Sequence, residues 1–92
     1  MTARKIPRRR QAVGSTAVAT IRRWLRLLTL LRERLFLNKD QLALEIGCSR
    51  RTIQHDLATL RREFGAPIEF DTDRNGFYLA DRRWRLDNGA SR

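Results

Sequence analysis

Residues 38–65 read NKDQLALEIGCSRRTIQHDLATLRREFG, two apolar-periodic runs separated by Gly47 and closed by Gly65. Asn38 suits an N-cap with Gln41 three residues on, and Asp40 puts an acid in the first turn, where the helix dipole favours it. Leu42, Ala43 and Ile46 supply a buried side, and Gly47 fits the left-handed position that ends many helices. Ser49 caps a second helix over residues 50–64, which Gly65 terminates before Pro67. On that helix Ile53, Leu57, Leu60 and Phe64 recur at spacings of four, three and four, a core stripe. Two such helices joined by a short glycine-containing turn fit a helix-turn-helix. Three positions give separate steric reasons: Ala43 is small where the helices cross, Gly47 allows the sharp turn, and Ile53 plugs the crevice.

Upstream, residues 17–36 (AVATIRRWLRLLTLLRERLF) have helical period. A helical wheel gathers Ile21, Trp24, Leu25, Leu28, Leu31 and Leu35 on one side and sets Arg22, Arg26 and Glu33 opposite. Leu27 and Leu30 fit neither side. Either the core is wider than the wheel assumes or, with Trp84, they form a dimer or partner surface. Residues 1–15 (MTARKIPRRRQAVGS) are polar and basic, with Pro7 and Gly14, and read as a flexible arm. Downstream, residues 67–71 and 77–79 alternate like strands, and TDRNG between them ends in an Asn-Gly turn signal. Residues 81–92 read as a tail in which Trp84 alone prefers cover. The expected architecture is α+β: a winged helix-turn-helix over 16–80, three helices followed by a two-stranded β-hairpin wing, between the arm and the tail.

The chain has 92 residues and a formal charge of +10, with a pI near 11.6. That is one small domain whose field favours polyanions, nucleic acid first. Residues 1–15 hold five basic groups and no acid, residues 16–37 add five arginines against Glu33, and residues 38–80 nearly cancel at six against seven. The middle of the chain must therefore act through individual side chains. Cys48 is the only cysteine, so an internal disulfide is excluded, a small buried thiol is expected, and a reducing cytoplasm is the expected location. Arginines 22, 23 and 26 break the apolar run, which argues against a signal peptide or a membrane span. The sequence shows no glycine-rich phosphate loop, no metal-ligand spacing and no nucleophile beside a base. No enzyme, cofactor, metal or small-molecule site is expected.

With the stripe from Ile53 to Phe64 inward, the wheel turns Arg51, Gln54, His55, Ala58 and Arg62 outward. A recognition helix reads base edges mainly from its N-terminal residues. Arg51 suits guanine and Gln54 suits adenine, each through two hydrogen bonds, while His55 suits a base or a phosphate. Ser49, Thr52 and the open N–H groups of the helix start suit phosphate oxygens, and Arg50 suits a phosphate clamp. At the hairpin tip Arg74 is the sensible phosphate contact beside Asp71 and Asp73, against the alternative of a purely structural turn. Asp56 reads as the partner of a nearby arginine, and Arg61 and Glu63 as solvated charges. The basic arm either follows a minor groove or merely raises non-specific affinity.

The segment RLLTLLRERLFLNKDQLALEIGCSRRTIQHDLATLRREFGAPIEF and then GFYL resembles the winged helix-turn-helix domain at the N-terminus of bacterial transcription regulators with a WYL domain. It is more loosely similar to the deoxyribonucleoside-repressor (DeoR) type, whose glycine-rich wing is missing here. The resemblance implies a serine-capped helix that enters the DNA major groove and carries over to Ser49, Arg50, Arg51, Thr52, Gln54 and His55. His55 stands where the group usually has arginine. The ligand-sensing WYL domain lies outside the matching run, so no effector pocket is expected within these residues.

The expected partner is double-stranded DNA, bound by a homodimer with two half-sites, in the cytoplasm on the nucleoid. The competing readings are a protein-interaction winged helix, an RNA-binding one, and a basic amphipathic helix lying on a membrane. The last conflicts with the need of that helix's apolar side to cover Ile53 and Leu57.

Overall fold

In a computed structural model the chain forms α1 (Thr2–Arg32), α2 (Lys39–Ile46), α3 (Arg50–Phe64), β1 (Ile68–Asp71) and β2 (Gly76–Leu79). The structure describes residues 2–86, with side chains from Ala17 onward. Three helices followed by an antiparallel hairpin are the winged-helix α+β architecture expected from the sequence.

The local signals act as their chemistry requires. The Gln41 N–H donates to the Asn38 side chain at 2.8 Å, and the Asn38 N–H donates back to Gln41 Oε1 at 2.9 Å, so the capping box on α2 is complete. At Gly47 φ is +87°, and the N–H groups of Gly47 and Cys48 both donate to the Ala43 carbonyl. Ser49 then accepts from the Thr52 N–H at 3.1 Å and starts α3.

The core joins Leu27, Leu28 and Leu31 of α1 with Leu42 and Ala43 of α2. Ile53, Leu57 and Leu60 of α3 fill its centre, and Ile68, Phe77 and Leu79 of the hairpin close it. Burying each large side chain contributes roughly 1.5–3 kcal/mol before entropy is counted. Phe64 packs edge-on against Trp24, ring centroids 5.4 Å apart.

The buried row of α1 is rotated from the one the wheel selected. Leu27 is fully buried, which removes it from the expected dimer or partner surface; Leu30 and Trp84 are half-buried against the core. Ile21, Leu25 and Leu35 are instead 46, 48 and 53 % exposed. Leucines at 25, 27, 28, 30 and 31 offer two overlapping stripes, and apolar count alone does not choose between them. The choice is made by what α1 meets, namely β2 and α2 in the shared core and the buried carboxylate of Asp56.

The ends of α1 also differ. Its backbone begins at Thr2, so it takes in the stretch expected as an arm, and Arg32 rather than Phe36 ends it. Contacts of the arm's side chains lie outside the described residues. Beyond Arg32, Arg34 and Phe36 adopt left-handed backbone (φ +57° and +56°). Leu37 then bridges Phe77, whose N–H donates to the Leu37 carbonyl at 2.9 Å. This short third rung sews the end of α1 to the wing. It also brings the Phe36 backbone onto Gly76, where a Cβ would stand 1.9 Å from the Phe36 carbonyl oxygen. No larger residue fits there without moving the backbone.

The hairpin pairs Ile68 with Leu79 and Phe70 with Phe77. Its turn covers residues 72–75, closing with Asn75 at φ +56°. The stretch after it is tied down rather than loose. Arg32 donates to the carbonyls of Arg82 and Trp84, and Arg34 to those of Leu79 and Ala80. The rest of the expected tail, 87–92, lies outside the described residues. Arg61, expected as a solvated charge, donates to the Ile68 carbonyl at 3.0 Å and so binds α3 to β1.

Candidate nucleic-acid interface

The apolar stripe of α3 dictates what its other side shows. With Ile53 and Leu60 fully buried and Leu57 nearly so, Arg51, Gln54, His55 and Arg62 are exposed and Ala58 is half-buried between them. None of the four exposed side chains makes a hydrogen bond or ion pair to another described residue, unlike Arg23, Arg26, Arg32, Arg34 and Arg61, which the fold uses internally. Arg51, Gln54 and His55 gather within the first two turns of α3. Arg62 stands eleven positions after Arg51, about 16 Å along the axis, so it belongs to a separate contact.

Ser49 and Thr52 are partly committed: the Ser49 hydroxyl donates to Thr52 Oγ1 at 2.9 Å while accepting from the Thr52 N–H. Arg50 pairs with Asp40 at 3.3 Å, with both side chains largely exposed. An exposed pair of this kind contributes at most about 1 kcal/mol, little enough for a phosphate to displace the carboxylate. Asn38, Lys39, Asp40 and Arg50 line one wall of an open groove, and Phe70, Asn75 and Phe77 of the hairpin line the other. Phe70, at its mouth, is 42 % exposed.

Arg74 is held at the wing tip. Its backbone N–H donates to Asp71 Oδ1 at 3.0 Å, its guanidinium to Oδ2 at 3.3 Å, and the guanidinium carbon lies 4.6 Å from the Phe36 ring centre. The backbone N–H of Arg74 is the main cause holding the Asp71 carboxyl below the usual carboxylate range. The tip therefore presents one cation steadied by two partners.

Behind α3 lies the single buried charged residue among those described, Asp56. Arg23 of α1 grips it with both faces of its fork: Nη2 donates to Oδ1 at 3.0 Å and Nε to Oδ2. That hydrogen bond, more than the accompanying charge attraction, holds the guanidinium protonated beyond ordinary arginine. Nearby, burial pushes the Cys48 thiol up, which keeps it the unreactive apolar group expected.

The sequence pointed to a nearby arginine for Asp56 without saying which. Arg23 stands four before Leu27 and Asp56 three after Ile53, so each lies on a core face. Opposite charges on two facing core stripes are the signal that finds the pair. Two further residues were missed. Arg26, read as merely outward, donates to the Glu45 carbonyl at 3.0 Å and closes the C-terminal end of α2. Lys39 joins the groove wall because the Leu37–Phe77 bridge sets the hairpin beside the start of α2, which no local pattern foretells.

No helix in the described residues is long and apolar enough to cross a membrane. The model of the HTH domain family matches residues 23–78, from the arginine that holds Asp56 to the middle of β2. That family occurs at the N-termini of WYL-domain regulators, in line with the resemblance carried by the sequence. No curated protein and no solved structure matches the chain. With more than half of its length matched, the chain belongs to the HTH domain family, and its winged helix-turn-helix is a DNA-binding domain.

Proposed function

We propose that this protein binds double-stranded DNA sequence-specifically as a bacterial or phage transcription regulator of the WYL type, reading the major groove with the start of α3. The supporting observation is the set Arg51, Gln54 and His55: exposed, adjacent, unengaged by any other described residue, and carried by a helix whose opposite side is locked in the core. Arg51 pairs with guanine, Gln54 with adenine, and His55 with a base or phosphate. Ser49, Arg50, Thr52 and the α3 N-terminus contact phosphates on one side, and Arg74 and Arg62 contact the backbone further out.

The protein acts as a homodimer on two half-sites about one helical turn apart, in the cytoplasm where the DNA is. With Leu27 buried, the dimer contact passes to the row Val18, Ile21 and Leu25 on α1, each close to half exposed. The same row supports the competing reading, a winged helix that recruits another protein, in which DNA binding would be indifferent to sequence.

Selection of duplexes from a random pool at two salt concentrations tests this. A two-fold symmetric motif enriched at both is the expected result; no enrichment would favour the interaction module instead. Sedimentation of Leu25→Glu beside the unaltered protein tests the dimer, and equal masses would dismiss the proposed contact.

A further inference from the structure

Resting on the DNA reading, the geometry points to the buried pair Arg23–Asp56 as the device that sets the roll of α3, and so as a positioning determinant of base specificity rather than a stabilising contact. Asp56 follows His55 directly and lies two residues after Gln54, yet it points inward with 1 % of its side chain exposed. Among the described residues its two hydrogen bonds are the only side-chain ones joining α1 to α3. The rest of the shared core, Leu27, Leu28, Ile53 and Leu57 included, is apolar.

Apolar contact is non-directional: the buried stripe of α3 and the Arg61 bond to β1 fix which side of the helix faces inward, but they leave its angle against α1 without a directional bond. A two-point fork between a planar guanidinium and a carboxylate does not. The magnitudes decide the matter. A helix with its side chains has a radius of about 5–6 Å, so a roll of about 20° moves the tips of Arg51 and Gln54 by about 2 Å. Base-edge hydrogen bonds survive only across donor–acceptor distances of about 2.7–3.2 Å. A roll of that size therefore abolishes readout. Stability is a poor reason for the pair, since buried ion pairs are commonly replaced by apolar groups without destabilising the fold. Orientation is a use that apolar groups do not fill.

Arg23→Lys tests this, because lysine keeps the charge but not the fork, and the Arg23 side chain is itself 24 % exposed. Asp56→Asn is the second variant; if it does not fold, Arg23→Lys carries the test alone. Two quantities are read at a temperature where melting curves show the variant folded. One is the ratio of dissociation constants for scrambled and selected duplexes. The other is the orientation of α3 relative to α2 from residual dipolar couplings of the free protein. The expected result is a ratio lower by about tenfold, non-specific affinity within about twofold of the unaltered protein, and a measurable turn of α3. A folded variant that keeps either its wild-type ratio or its wild-type α3 orientation overturns the inference. If the unaltered protein shows no sequence preference, the DNA reading itself fails, and that is seen before any substitution is made.

Discussion

Arg51 and Ile53 stand two residues apart on α3 and face opposite ways, one to solvent and one fully into the core. Their consequences separate accordingly. Arg51→Ala should leave the melting temperature nearly unchanged while weakening the selected duplex by about 1–3 kcal/mol and relaxing one base position. Fluorescence anisotropy on selected and scrambled duplexes checks this, and equal weakening of both would remove Arg51 from the base readers. The glycines divide in a similar way. Gly47 needs its positive φ but has open space around its Cβ position, so Gly47→Ala should destabilise by the backbone term alone, about 1–2 kcal/mol. Gly76→Ala meets the Phe36 backbone and should cost about 3 kcal/mol or prevent the Leu37–Phe77 rung from forming. Urea titration of the two variants orders them, and a milder effect at Gly76 would contradict the close approach.

At the scale of elements, α2 is short and depends on its ends. Asn38→Ala removes half of the capping box and should lower stability by about 1 kcal/mol, seen as a fall in the thermal midpoint. The hairpin has its own pH response. Because Asp71 titrates below its usual range in the folded wing, its contribution is complete above the unfolded value and is lost as pH falls through the folded one. Hairpin amide resonances should therefore begin to shift as pH drops below about 4, and Asp71→Asn should flatten that response. Elements were the level at which local pattern served best. The cap residues, Gly47 and Gly65 each act through neighbours a few positions away, whereas the alternation from Ile68 to Asp71 marks the strand but not its burial, since Phe70 is exposed. The roll of α1 was not legible in this way, and neither were the tasks of Arg26 and Arg61, whose partners are carbonyls of other elements.

For the whole molecule, charge sets a testable slope. The described arginines 23, 26, 32, 34 and 61 are spent on internal carbonyls and Asp56, so they add to the field without being placed to bind phosphate. Each phosphate that the protein neutralises steepens the fall of log affinity with log salt by about 0.9. Replacing Arg8, Arg9 and Arg10 by glutamine should make that slope shallower by about this amount for every phosphate the variant no longer neutralises. An unchanged slope would mean that these residues stay off the DNA.

From residues alone, the chain determined its caps, its turn glycines, the inward stripe of α3 and therefore the outward set Arg51, Gln54 and His55, because each depends on hydrogen bonds and spacings within about two helical turns. Tertiary structure decided which of two leucine stripes on α1 is buried, that Leu27 lies in the core, and which arginines are spoken for. Those outcomes depend on groups such as Asp56, 33 residues from Arg23. A side chain's partner at that distance is chosen by how the helices pack, and no local pattern carries that information.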